Sequence, residues 1–236
     1  VMSFFAKKYN KIVVWDAHEN YNETLYSLNT FKILPFSWLI SKIFGWYEIW
    51  ACKKVFSGVV TITDKMAKRY RNKNIQTCVL ANYADISLFN YNHNENQISK
   101  NPLLISSGSH FRGRGILQIA KAFPLISKKI KASISFSGRF TDLNLQNKVI
   151  EILSMYDKTK EYWDVKGEIS FDDLINKIIP KAWVGLVLFD TTDANNCNGL
   201  PNRLFELLAN GVPVITTKGT ETSNLVETIN AGIIIN

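Results

Sequence analysis

Apolar runs of strand length alternate with segments of helix length along almost the whole chain, and few folds accept that pattern. KIVVWD (residues 11–16) reads as a strand, FSWLISKIFGWYEIWACKKV (36–55) as helix, and GVVTIT (58–63) as strand. DKMAKRYRN (64–72) follows as helix and TCVLAN (77–82) as strand. The runs are too short to be buried helices, while the segments between them keep an apolar stripe near a 3.6-residue period. Parallel strands need such long crossovers, and burial on both sheet faces makes each strand nearly continuous in apolar residues. Residues 85–102, DISLFNYNHNENQISKNP, break the pattern with asparagines and no sustained period. Alternation then resumes through LLISSG, ILQIAKAF, ASISFSG, LNLQNKVIEILSMYD, WDVKGEI, FDDLINKIIPKA, VGLVLF, RLFELLAN, PVITT and GIII. Ser170 is placed to cap the helix at 171, with Asp173 in the third helical position as a partial capping box. The reading is an α/β chain with two doubly wound parallel-sheet domains: 1–90, a linker at 91–102, and 103–236. In such sheets ligands sit beyond the carboxyl ends of the strands, so the loops after strands are where chemistry is expected.

Charge is unevenly placed. Residues 1–100 hold 13 Lys and Arg against 7 Asp and Glu, the remainder 15 against 13, for a net charge of +8. A basic first part favours anionic partners without choosing between lipid, phosphorylated substrate and nucleic acid. Nucleic acid is disfavoured because the basic residues are interleaved with core pattern rather than gathered in one tract. The stretch Phe31 to Trp50 is rich in Trp, Phe and Ile, but Lys32, Lys42, Glu48 and Pro35 interrupt it, so it cannot span a bilayer. It is read as a buried helix pair in preference to a membrane-surface helix. Three cysteines without a C-x-x-C pair suggest neither a disulfide framework nor a zinc site, which fits a reducing cytoplasmic setting. No signal peptide is read at the start, and the start at Val1 with an end inside AGIIIN suggests a piece of a longer protein.

Two loops carry candidate chemistry. After LLISSG comes SHFRGRG, with Gly108, Gly113, Gly115, Arg112 and Arg114 directly before a helix. Backbone amides at a helix start together with a guanidinium suit a diphosphate. The spacing matches neither the dinucleotide fingerprint nor the P-loop, and a turn with solvated arginines is an equal reading of the local residues. The second is NGLPNRLFELLANGVPVITT (198–217), which places the carboxylate of Glu206 among Leu204, Leu207 and Leu208 on a short helix ended by Gly211. A carboxylate there must reach solvent, pair with a base, or accept from a polar ligand such as the two hydroxyls of a ribose. Asp172 and Asp173 resemble a metal pair but suit a helix start better.

At this point the sequence resembles a known family. LPNRLFELLANGVPVITT is similar to the carboxyl-domain signature of GT-B glycosyltransferases, especially the retaining family 4 enzymes. WDAHE, GVVTIT, VLANYADISLF and SSGSHFRGRGILQIAKAF resemble the family's other motifs in family order. The resemblance implies two Rossmann-like domains, the amino one incomplete because its opening strands have no counterpart here. It implies transfer of a sugar from a UDP or GDP sugar to a glycan or lipid-linked acceptor hydroxyl, with retention, no metal and no cofactor beyond the donor. It places Glu206 at the nucleotide ribose, Arg114 at the diphosphate with Gly199, Leu200 and Arg203 nearby, and Gly108 in the turn beside them. His18 falls at the donor sugar as a catalytic residue, Asp16 and Glu19 hold its loop, and Gly167 with Glu168 falls at the base. The first glutamate of the family's pair is Asn198 here, and an expected arginine is Ser109, which weakens the donor-sugar contact. A peripheral contact with the inner face of a membrane is a further expectation. A non-catalytic nucleotide-sugar binding module and a nucleotide-sugar epimerase of the same shape are the alternatives.

Overall fold

The computed structural model describes residues 8–9, 11–19, 37–89 and 98–236. Residues 31–36 of the aromatic stretch and 91–97 of the expected linker lie outside them. The chain forms two compact units, one of Val1–Asn82 with Thr192–Leu200 and one of Tyr83–Thr191 with Pro201–Asn236.

In the first unit, β1 (Val14–Ala17), β2 (Gly58–Thr61) and β3 (Thr77–Val79) form a parallel sheet in that order among the described residues. The crossovers are α1 (Ser37–Lys54) and α2 (Asp64–Arg71). Thr63 caps α2, its hydroxyl accepting from Met66 N at 3.2 Å. Ala17, Cys52, Val59, Tyr70 and Ile75 form the core, joined by Trp15 and Phe56 stacked at 5.4 Å. Glu48 of α1, 4% exposed, lies inside this core. Its carboxylate accepts from Arg69 Nη2 at 2.6 Å, Tyr70 Oη at 2.8 Å and Trp15 Nε1 at 3.2 Å. Three donors offset the cost of burying that charge, tying α1 to α2 and β1. Burial, with Glu48 next in effect, pushes the Cys52 thiol up to about 12, which leaves it unreactive at neutral pH.

The second unit is a six-stranded parallel sheet in the order β6-β5-β4-β7-β8-β9. Its strands are β4 (Leu103–Ser107), β5 (Ser133–Ser137), β6 (Trp163–Lys166), β7 (Val184–Val187), β8 (Val214–Thr217) and β9 (Gly232–Ile235). The crossovers include α3 (Ile116–Ile130) and α4 (Leu143–Tyr156), whose apolar stripes close the core. Ile116, Phe123, Ile134, Phe136, Leu145, Val149 and Leu153 are at most 1% exposed, each burial stabilising by about 1.5–3 kcal/mol. In the first unit lies α5 (Ala194–Asn198); in the second follow α6 (Asn202–Ala209) and α7 (Glu221–Thr228). Strand order reverses between β4 and β7, and a doubly wound sheet opens its ligand crevice at that switch.

Three readings change. The aromatic stretch is not a buried helix pair where it is described: α1 is one helix whose outer face is exposed, with Trp46 69% and Ile43 57% accessible. The helix expected over FDDLINKIIPKA keeps the Ser170 cap, its hydroxyl accepting from Asp173 N at 3.1 Å, but holds α geometry only over Phe171–Asp173. It widens to a π turn at Leu174–Ile178 and closes as a 3-10 turn at Ile179–Lys181. Pro180 has no N–H to continue an α ladder, so the turns around it re-pair. Between PVITT and GIII stands α7, opened by a capping box in which Thr220 and Ser223 exchange side-chain and backbone bonds. Its mostly polar sequence, ETSNLVET, hides it from a search by period.

Candidate functional site

The site assembles at the switch point of the second unit. β4 delivers Ser106 and Ser107 to a turn at Gly108, whose φ of +81° lies in the left-handed region. Gly138, at the matching turn after β5, has φ +141°, and a Cβ there would stand 2.1 Å from the Gly108 carbonyl oxygen. Gly108 N donates to Ser137 O at 3.0 Å, so the two turns are pressed together and only glycine fits between them. Beyond them, His110 is fully buried. Its Nε2 lies 3.0 Å from Ser106 O and its ring stacks on Phe140 at 4.6 Å. Burial lowers its pKa to about 4, so the ring is neutral at neutral pH.

Arg112–Arg114 form a 3-10 turn that feeds α3 through Gly115 in a left-handed conformation. Arg114 is folded back: Nη1 donates to Ser109 O at 2.7 Å and the guanidinium lies over Phe111 at 4.7 Å. Its Nε is buried with no hydrogen-bond partner among the described residues. From the β7 side comes Arg203 of α6, 3% exposed. Its Nη2 donates to Leu188 O at 3.0 Å, the guanidinium faces Phe189 at 5.2 Å, and Nε and Nη1 have no hydrogen-bond partner among the described residues. Burial lowers the pKa of both arginines, and their mutual repulsion adds to this for Arg203.

Glu206 lies one turn further along α6, half-buried. Its backbone carbonyl accepts from Asn210 Nδ2 at 3.0 Å, whereas its carboxylate has neither hydrogen bond nor ion pair among the described residues. Burial raises its pKa, opposed by the fields of Arg203 and Arg114. The salt bridge that would make this glutamate merely structural is therefore missing from the described residues. Packing aims α6: a Cβ on Gly185 of β7 would meet Leu207 Cδ1 at 2.4 Å, so the Leu207 side chain packs directly on the strand backbone there. The buried hydroxyls Ser106 Oγ and Ser107 Oγ also lack partners among the described residues. This end of the sheet thus holds guanidinium N–H groups and a carboxylate that no described residue satisfies, an arrangement matched to a bound polar ligand.

Of the residues expected from sequence, Gly108, Arg114, Arg203 and Glu206 belong to this unit and to this end of its sheet. Gly167 follows β6 in open space, with nothing within 4 Å of a built Cβ. His18 stands at the end of β1 in the first unit, where its Nε2 meets Asp16 Oδ1 at 2.9 Å with both side chains exposed. Asn198, Gly199 and Leu200 group with the first unit; Asn198 O accepts from Thr63 Oγ1 at 3.1 Å and Gly199 N donates to Asn195 O at 3.0 Å. Asp172 and Asp173 are engaged locally, by Asn176 at 2.9 Å and by Lys177 at 2.6 Å. Sequence reasoning missed His110, Gly138 and the paired serines of β4. Only the glycine carried a legible signal, as a Ser-Gly turn after a strand.

No protein-family model matches the chain, and no curated protein matches its sequence. Solved structures do. Sucrose-phosphate synthase of Thermosynechococcus elongatus superposes with a TM-score of 0.70 at 15% identity, over 98% of this chain and 56% of that one. Anabaena HepE, solved with UDP and glucose, gives 0.66 at 14% identity over 99% of this chain and 60% of that one. A glycosyltransferase of Rickettsia africae gives 0.64 at 15% identity over 100% and 65%. The likeness at these identities is one of fold, and the fold is GT-B, with two Rossmann-like α/β units. The chain spans about 60% of the length of HepE.

Proposed function

We propose that this chain binds a nucleoside-diphosphate sugar and transfers the sugar to an acceptor hydroxyl. The observation that carries the reading is the half-buried Arg114 and the buried Arg203, with buried N–H groups that no described residue pairs, near the Glu206 carboxylate, which also has no partner among the described residues. A diphosphate uses the donors; the two hydroxyls of a ribose use the carboxylate. When the bond from the anomeric carbon to the diphosphate oxygen breaks, negative charge grows on the departing phosphate. Donors already aimed there stabilise it without reorganisation. We assign that charge stabilisation to Arg114 and Arg203; on the family resemblance alone we add Gly199 and Leu200 near the phosphates, Gly167 at the base, and Asn198 and His18 at the sugar. The same resemblance supports retention of configuration without a required metal, in the cytoplasm, on a glycan or lipid-linked acceptor. HepE is solved with UDP, so UDP sugars are the first donors to try.

The test is a melting-temperature titration with UDP, GDP, ADP and CMP, repeated on Glu206→Ala. A ligand at a hundred times its Kd stabilises by about 2.7 kcal/mol, or roughly 5–10 °C for a chain of this size. One diphosphate should give that shift and Glu206→Ala should abolish it; no shift with any nucleotide refutes the proposal. Asn198 and Ser109, standing where the family carries charged residues, favour as a second reading a module that binds without turnover. Donor hydrolysis and transfer assays separate the two.

A further inference from the structure

Past the paired glycine turns, the chain ends of β4 and β5 meet once more, where His110 and Phe140 form a single parallel bridge. His110 N donates to Arg139 O at 2.8 Å, and His110 O accepts from Thr141 N at 3.0 Å and from Thr141 Oγ1 at 3.3 Å. The backbone of this residue thereby fastens the two turns to each other. Its ring reaches back across the Gly108 turn to Ser106 O, and because a carbonyl only accepts, Nε2 carries the proton. Nδ1 is then a bare acceptor, buried with no hydrogen-bond partner among the described residues. Phe136 and Phe140 pack on the ring at 5.8 and 4.6 Å. Filling that space needs no nitrogen: leucine would do so without leaving a buried acceptor unpaired. Between His110 and Gly108 stands Ser109, whose carbonyl accepts from Arg114 Nη1 at 2.7 Å. The charges that act most on the ring are Arg203 of α6 and Arg114, both of which oppose a second proton, whereas the backbones of Ser106 and Gly138 favour one.

We propose that His110 is a positioning residue for the phosphate site: its ring fixes the Gly108–Ser109 turn on which Arg114 hangs, and it takes up a proton when a diphosphate binds. This role rests on the reading of Arg114 and Arg203 as diphosphate ligands. Without ligand, the two guanidiniums keep the ring neutral and bonded to Ser106 O. A diphosphate beside them brings two negative charges, which offset that field and favour the imidazolium. The second proton comes from solvent onto Nδ1, where the Gly138 backbone stabilises it, so the charged ring holds the turns after both β4 and β5. Ligand and proton then strengthen each other's binding by the same factor. Glu206 works in the opposite sense: burial raises its pKa, and protonating it removes an acceptor for the ribose.

The experiment is titration calorimetry of the full chain with UDP-glucose and GDP-mannose at about pH 7.5 and about pH 5.5, each in two buffers of different ionisation enthalpy. The esterified diphosphate of these ligands has no proton that titrates in this interval, so proton uptake reports the protein. His110→Leu should bind on the order of tenfold more weakly at the higher pH, circular dichroism confirming the fold. His110→Gln, whose amide can donate to Ser106 O, should recover most of that loss. At the lower pH the parent should take up more protons on binding than either variant, and its advantage in affinity over His110→Gln should grow by about two- to threefold. All three proteins keep Glu206, so its titration cancels in the comparison. If His110→Leu does not fold, His110→Gln still decides, because it must keep the affinity and lose the proton uptake. Equal affinity of the parent and His110→Leu at the higher pH, or equal proton uptake by the parent and His110→Gln at the lower, overturns the proposal and leaves the diphosphate reading standing. No binding of either ligand by the parent overturns both.

Discussion

Arg203→Met separates a guanidinium kept for a ligand from one kept for the fold. The substitution retains an apolar stem and removes the charge. In the folded chain the guanidinium makes one bond, to Leu188 O at 3.0 Å, and faces Phe189. Losing a hydrogen bond from a charged group costs about 2 kcal/mol and losing the ring contact about 1 kcal/mol. On the other side, two buried nitrogens without partners among the described residues cost at least about 1 kcal/mol each, and Arg114 repels the charge. The contributions nearly cancel, so the stability of the ligand-free chain in urea should change by less than about 1 kcal/mol. Removing one member of a satisfied buried ion pair costs about 3–5 kcal/mol instead. Nucleotide binding should respond in the opposite proportion. Two charge-assisted bonds to phosphate at about 1.5–3 kcal/mol each make the variant weaker by on the order of a hundredfold or more. Urea melts with and without UDP give both quantities. A loss of about 3 kcal/mol without ligand, with the nucleotide shift intact, would refute the reasoning.

Further outcomes follow from other parts of the fold. His110 has its pKa lowered from 6.5 to about 4 by burial, so the unfolded chain binds more protons between those values. Its contribution, about 3 kcal/mol at full extent, is present above pH 6.5 and lost as pH falls towards 4. His110→Phe should flatten that limb of the urea-midpoint profile relative to the parent. Glu48→Ala leaves Arg69, Tyr70 and Trp15 without their shared acceptor and should cost about 3–5 kcal/mol, read from urea melts. Gly138→Ala places a methyl 2.1 Å from the Gly108 carbonyl oxygen at a φ of +141°. It should cost on the order of 3 kcal/mol in a thermal melt and weaken nucleotide binding by displacing the Gly108 turn.

The sequence by itself carried the alternation of strand and helix, because parallel strands buried on both faces must be short continuous apolar runs joined by long crossovers. It carried the Ser170 cap and the helix around Glu206, since capping and a one-sided apolar stripe are local properties. Alignment to a family by motif order named Arg114 and Glu206, and the fold places both at the reversal of strand order between β4 and β7. Tertiary structure alone decided the rest. The outer face of α1 reads as core in one dimension because Trp and Ile score alike whether buried or exposed; only packing shows which arc the sheet covers. The π turn at Leu174–Ile178 and the polar helix α7 depend on hydrogen bonds that periodicity does not report. Whether Glu206 is paired, and whether the nitrogens of Arg203 are satisfied, are questions about three-dimensional neighbours. Those neighbours come from strands far apart in sequence, so burial without partners, the property on which the proposed site rests, exists only once the chain is folded.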